Sequence, residues 1–324
     1  MLFGKKKKRD ADRTRILFAT DLHAGERTFR KFLNSGKVYE PDVLILGGDL
    51  TGKIVAPVIV DGDRLTATVM DETVVEDDAG MRDVEGVLRD LGSYPVRVTT
   101  AEYERLQTDA EFREAKVEGL IVEQVERWLA LAAERLAESG IPLYVTGGND
   151  DPISMEEVLN RSTYGKNAES TVLTLPGEIE MASTGYGNPT PWPCPRDISE
   201  EELGERIEST VAEIERIEGS IFNFHVPPFD STLDIAPLLD VSVDPPAVVP
   251  GETAPVGSHA VREAIERHQP MLSLHGHIHE SRGIVQIGRT VCVNPGSEYG
   301  EGVLRAAVID VVDGEVANAQ LVAG

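Results

Sequence analysis

Lysine is scarce in this chain. Beyond the run Lys5 to Lys8, only Lys31, Lys37, Lys53, Lys116 and Lys166 occur in 324 residues, and acidic residues outnumber basic ones by 56 to 31. The formal charge of −25 repels polyanions, which speaks against long nucleic acid and against an anionic membrane surface as partners. An acid excess with so few lysines is the surface expected of a high-salt cytosol, where such repulsion is screened. Cysteine is almost missing. Cys194 and Cys292 cannot build a disulfide framework or a Cys-based zinc site, so a cytoplasmic location is expected. No apolar run reaches the length of a membrane span. The basic run 5–9 has no apolar segment behind it, so residues 1–14 read as a disordered tail rather than a signal peptide. The hydrophobic fraction, 41%, still allows a real core, in one large domain or two smaller ones.

What is present is an alternation of short apolar runs and polar ends. Residues 15–20 read as a buried strand ending in Asp21-Leu22-His23, and 27–36 as a helix with Phe29, Phe32 and Leu33 on one face. Residues 43–46 form a second buried strand ending in Gly47-Gly48-Asp49, which completes a right-handed βαβ unit. In such sheets, sites form beyond the carboxyl ends of the strands. Residues 53–140 break the pattern and read as an insertion. It holds a hairpin at 54–60 and 64–70, a weakly patterned acidic stretch at 71–92, and a long helix over 101–139. Its helical part is a candidate oligomer contact. Further strands are expected at 143–146, 171–175, 179–182, 221–224, 284–287, 290–293, 303–310 and 315–322. Helices are expected at 154–160 with Ser154 as N-cap, at 199–217 and at 259–268, while 230–257 is Pro-rich and read as irregular.

The stretch His275-Gly276-His277-Ile278-His279 follows an apolar run. If it is extended, His277 and His279 point the same way, and two imidazoles meeting at one point suit a transition metal. The same logic recurs along the chain. Five strand ends carry metal-ligand types, Asp21/His23, Asp49, Asn149, His225 and His277/His279, and four of the seven histidines sit there. Seven donors are too many for one zinc but suit two adjacent cations with one carboxylate between them. Mixed O and N donors suit Mn²⁺, Fe, Zn²⁺, Co²⁺ or Ni²⁺ rather than Ca²⁺ or Mg²⁺ alone, with Mn²⁺ placed first.

These motifs, Asp21-Leu22-His23, Gly48-Asp49, Gly148-Asn149-Asp150-Asp151, His225 and Gly276-His277-Ile278-His279, resemble in order the D-x-H, G-D, G-N-H-[DE], H and G-H-x-H set of the calcineurin-like metallophosphoesterase superfamily. The resemblance runs from about residue 15 to the end, apart from the insertion. It implies a single α/β domain, a four-layer sandwich of two mixed sheets with helices outside. It also implies that Asp21, His23 and His279 hold a first metal, Asn149, His225 and His277 a second, and that Asp49 bridges. The expected chemistry is hydrolysis of a phosphomonoester or phosphodiester by a hydroxide held between the metals, with Asn149 steadying the phosphoryl oxygens. The substrate is then a small phosphoester, a nucleotide among the candidates.

One position departs from that set: Asp150 stands where the family commonly has a histidine that protonates the leaving group or steadies the phosphate. An exposed, ionised Asp150 repels phosphate, so good leaving groups such as aryl phosphates are expected to be preferred. His275 shares strand parity with His277 and is a candidate to stand in for the missing histidine, as is Arg282; a packed role for His275 is the competing reading. Tyr186 and Trp192 lie in a Pro-rich loop that either stacks a base or is a stiff surface loop. Two other function classes stay open: a non-hydrolytic scaffold of the same fold, and a nuclease, for which no basic groove is found.

Overall fold

The computed structural model describes residues 13–324. The expected basic tail falls mostly on residues 1–12, which lie outside the described residues, but Arg13 and Thr14 already belong to the first strand. With strands and helices numbered along the chain, one six-stranded sheet runs β18 (Glu315–Ala323), β17 (Arg305–Val312), β1 (Arg13–Ala19), β2 (Val43–Gly47), β7 (Leu143–Thr146), β8 (Lys166–Asn167). A second runs β15 (Gly283–Ile287), β16 (Thr290–Asn294), β14 (Leu272–Leu274), β11 (Ile221–Phe224), β10 (Ile179–Thr184), β9 (Thr171–Leu175). Both are mixed. The central strands β1, β2 and β7, and β10, β11, β14 and β16, pair in parallel; β8 closes one edge in parallel, and antiparallel partners close the other three.

Strand alternation explains why the two sheets stack. Ile16 and Phe18 of β1 and Val43 and Ile45 of β2 pack with Met181, Ile221, Leu272 and Val293 of the other sheet, so these faces form the shared core. Leu17, Ala19, Leu44 and Leu46 point the opposite way and meet Phe29 and Phe32 of α1 (Glu26–Val38), Trp128 of α4 (Ala110–Leu136) and Val158 of α5 (Ser154–Arg161). On the far side, Phe222 and Phe224 of β11 meet Leu203 and Ile207 of α6 (Glu200–Val211) and Ile265 of α7 (His259–His268). The order is helices, sheet, sheet, helices. All five residues of β2 are buried, as a strand covered on both faces requires, and each large apolar side chain so placed contributes roughly 1.5–3 kcal/mol over leaving it in water.

The insertion is a sheet of its own, ordered β5 (Glu72–Glu76), β4 (Arg64–Val69), β3 (Ile54–Asp61), β6 (Ser93–Val98), with α2 (Asp78–Asp90) and α3 (Thr100–Thr108). The hairpin stands where expected, but the acidic stretch at 71–92 holds a strand and a helix. The long helical region breaks at Asp109, whose carboxylate caps Phe112. Helix α4 returns to the sandwich, and the Trp128 ring stacks on Phe29 at 4.1 Å. Other departures are local. Ser154 does not cap α5; Ile153 holds that position without a side-chain bond. Helix α6 ends at Val211, with a Ser199/Glu202 capping box at its start. The stretch expected to be irregular forms a hairpin of β12 (Ile235–Asp240) and β13 (Ala247–Pro255), with a register shift between Pro237 and Leu239. No helix among the described residues is long and apolar enough to cross a membrane.

Candidate metal centre

The carboxyl ends of β1, β2, β7, β11 and β14 open on the same edge of the sandwich, and the loops that follow are tied to one another. The Asp21 and His23 amides donate to the Gly48 and Asp49 carbonyls, each at 2.9 Å, and the Gly276 amide donates to the His225 carbonyl at 2.8 Å. Asp21, His23, Asp49 and His277 all sit at positive φ, at 55°, 39°, 47° and 65°. Such backbone costs of order 1 kcal/mol or more per residue, and it is held here by the surrounding contacts, as is common at functional sites. Gly48, at φ 122°, has no room for a side chain: a Cβ there would lie 2.3 Å from His225 Nδ1.

Six of the seven expected donors fall into two groups whose ligand atoms lie within 4.8 Å of one another: Asp21, His23 and His279, and Asp49, His225 and His277. Asp49 Oδ2 stands between them, 3.3 Å from His225 Nε2 and 3.7 Å from His23 Nε2. His279 Nε2 is 3.1 Å from His23 Nε2 and 3.5 Å from Asp21 Oδ1. His277 and His279 thus enter different groups. The reading of an extended segment aiming both rings at one point is corrected here: the strand ends at Leu274, and His277 is left-handed.

Two buried atoms identify what the second group lacks. His225 Nδ1 lies 2.9 Å from the Gly47 carbonyl, which can only accept, so Nδ1 carries a hydrogen and Nε2 faces the carboxylates. The Asn149 amide nitrogen donates to Asp197 Oδ1 at 2.9 Å, which turns its oxygen the other way. Asn149 Oδ1 has no hydrogen-bond partner, and His225 Nε2 has ion-pair contacts alone, the nearest with Asp49 Oδ2 at 3.3 Å, although both residues are buried. Unpaired buried polar atoms are costly, and a cation among these N and O donors would satisfy both. The donor set therefore fits divalent metal.

Charge accounts for the rest of the electrostatics. Burial alone would push the Asp21 and Asp49 carboxyls up, but the facing histidines outweigh it and hold both low. Burial likewise disfavours the His225 imidazolium, yet Asp49 and Asp21 drive its pKa up to about 10. A metal held at this group would have to displace a proton. His275, fully buried, is pushed down to about 4 by burial, against the pull of the Phe224 and Val226 carbonyls on Nδ1 at 2.8 and 3.1 Å. It lies outside the donor groups, so strand parity does not bring it to the centre.

Asp150 does reach the centre, as a member of a third group with His23 and Asp49. It is not the free, exposed carboxylate expected: its side chain is 23% exposed, Lys53 Nζ lies 2.5 Å from Oδ1, and the Cys194 thiol donates to the same oxygen at 2.9 Å. Burial lowers the Lys53 pKa, but Asp150 outweighs it and holds the ammonium above its ordinary value. Four further residues escaped sequence reasoning. Asp151 accepts from the amides of Leu50, Thr51 and Gly148 and so ties two ligand loops together. Asp197 holds Asn149. Tyr299 packs its ring against His23, 4.8 Å between centroids. Fully buried Arg196 donates through Nε to the Asp151 carbonyl. Only Asp151 carried a sequence signal, as the last residue of the Gly148 motif. The insertion also braces the centre, since the Tyr94 hydroxyl accepts from the Gly52 amide and Gln124 donates to the Ala24 carbonyl, both at 2.9 Å. Tyr186 is taken up by the Arg206 guanidinium, 3.8 Å above its ring, whereas Trp192 is half exposed.

No family model matches the chain. It is 30% identical to the uncharacterised protein MJ1162 of Methanocaldococcus jannaschii over 166 residues, which are 50% of this chain and 68% of the other. Among solved structures, one crystal structure aligns at TM-score 0.57 and 17% identity, and TT1561 of Thermus thermophilus at 0.53 and 15%. Each alignment covers 96% of this chain and 98% of the other, and each is a likeness of fold. A structure described as a novel archaeal phosphodiesterase aligns at TM-score 0.37 and 9% identity over 95% of this chain and all of the other, too weak a likeness to bear on function.

Proposed function

We propose that this chain, which shares a family with its Methanocaldococcus relative, is a metallophosphoesterase: a metal-dependent phosphoesterase with a dinuclear centre on a calcineurin-like sandwich. The observation that carries this reading is Asn149 Oδ1, buried without a hydrogen-bond partner, beside His225 Nε2, which faces Asp49 Oδ2, an oxygen that also lies 3.7 Å from His23 of the other group. In the proposal Asp21, His23 and His279 hold one cation, Asn149, His225 and His277 the other, and Asp49 lies between them. Two divalent cations there, Mn²⁺ first among the candidates, would supply Lewis acidity toward phosphoryl oxygens and activation of water.

The protein's own groups do the rest. Asp49 Oδ1 is engaged by the Asp150 amide at 3.0 Å, which leaves Oδ2 to face both donor groups. The amide of His277 donates to both Asp21 oxygens and fixes that carboxylate. Lys53 offsets the charge of Asp150, so a phosphate can approach the rim that an isolated carboxylate would close. With no histidine at position 150, leaving-group protonation is weakly assisted, and aryl esters should turn over faster than alkyl esters. The substrate class is a small phosphoester, a nucleotide included.

The test is metal content together with hydrolysis of bis-p-nitrophenyl phosphate in added Mn²⁺. About two cations per chain with metal-dependent turnover is the expected result. A protein that binds no metal and hydrolyses nothing would instead be a scaffold. Equal turnover of aryl and alkyl esters would contradict the part assigned to Asp150.

A further inference from the structure

We propose that Asp197 is a positioning residue for Asn149, and that it couples filling of the Asp49–His225–His277–Asn149 set to the loop 187–198. The inference rests on the dinuclear reading and deepens it. An asparagine amide can present either oxygen or nitrogen to a site. Nitrogen there would repel a cation, so something must choose. Asp197 chooses, because a carboxylate only accepts: it takes the Asn149 amide nitrogen at 2.9 Å and leaves the oxygen for the donor set. The other Asp197 oxygen accepts from the Thr190 amide and hydroxyl, both at 2.7 Å, so the carboxylate is itself held. Groups that orient metal ligands in this way commonly account for about 10- to 100-fold in affinity.

The same loop holds the ligand turn at two more points. The Arg196 amide donates to the Asn149 carbonyl at 3.2 Å, and the Cys194 thiol donates to Asp150. Asn149 cannot shift toward a cation without Asp197, Thr190 and Arg196 responding. Trp192 lies on this loop and is 51% exposed, while the other tryptophan, Trp128, is 3% exposed and packed in the core. Fluorescence of Trp192 is therefore a reporter of the loop.

The experiment is Mn²⁺ binding to full-length protein by equilibrium dialysis, with tryptophan fluorescence followed over the same titration. Wild type should bind two cations, with a fluorescence change that tracks one of them. Asp197→Ala should weaken that one step by about 10- to 100-fold, leave the other step unchanged, and move the fluorescence change to higher Mn²⁺ by the same factor. Asp197→Asn, whose amide oxygen can still accept from Asn149, should weaken it less. Trp192→Phe should remove the signal without altering affinity. Asp197→Ala protein that binds both cations as wild type does overturns this inference alone. If Asp197→Ala does not fold, Asp197→Asn and Thr190→Val decide, and wild-type affinity in both overturns it equally. Wild-type protein that binds fewer than two cations contradicts the dinuclear reading and takes this inference with it.

Discussion

The two donor groups are built differently. The group of Asp49, His225, His277 and Asn149 is closed: the His225 and Asn149 side chains are buried, and each is oriented by a partner away from the centre, the Gly47 carbonyl and Asp197. The group of Asp21, His23 and His279 is open. Its His279 side chain is 32% exposed, and Tyr299 packs against both imidazoles, with ring centroids 4.8 and 6.0 Å away. A closed, oriented set has already met its ordering cost on folding, whereas an open one meets it on binding. The closed group should therefore fill first and hold its cation tightly, with the open group exchanging its own and facing substrate.

The hardest blow to this contrast is Asp49→Ala, which removes the oxygen both groups share. Hydrolysis should fall by at least about 10²–10³-fold, and bound metal by one cation or more. Near-normal turnover would show that the groups work independently. Next come the single-group variants. His225→Ala should lose the tightly held cation and leave activity that excess Mn²⁺ does not restore. His279→Ala should keep one cation, with activity recovering as Mn²⁺ is raised by roughly 10- to 100-fold. Identical behaviour of the two variants would erase the distinction between closed and open.

The smallest effect concerns the packing around the closed group. His275 is buried neutral, with its pKa pushed from 6.5 down to about 4. The unfolded chain takes up this proton first, so the contribution is complete above pH 6.5 and is lost as pH falls toward 4. It amounts to about 3 kcal/mol over that window. Urea denaturation of metal-free protein between pH 4 and 6.5 should show a steeper loss of stability for wild type than for His275→Gln. Parallel slopes would mean that His275 titrates alike in both states.

The difference between the groups also explains how much the sequence disclosed. The candidate ligand residues were legible because parallel strands put their polar ends on one edge, so Asp21, Asp49, Asn149 and His225 each closed an apolar run. The two-sheet arrangement was legible only through the motif resemblance; the apolar runs of β1 and β2 by themselves indicate strands buried on both faces. The orienting contacts were not, since they join residues far apart in the chain: Asp197 to Asn149 across 48 positions, Asp151 to Thr51 across 100. Lys53 looked like one of a few stray lysines until Asp150 was placed 2.5 Å away. His277 was read on the wrong backbone, because periodicity cannot announce where a strand stops and a left-handed turn begins. The strands of 230–257 were hidden by prolines, which the hairpin tolerates where its register slips.

The most direct test is a crystal structure of the Mn²⁺-loaded protein with anomalous scattering measured at the manganese edge. The account predicts two peaks about 3.5–4 Å apart, one among Asp21, His23 and His279, the other among Asn149, His225 and His277, with Asp49 Oδ2 between them. A single peak, or two peaks with Asp49 turned away from both, would contradict it.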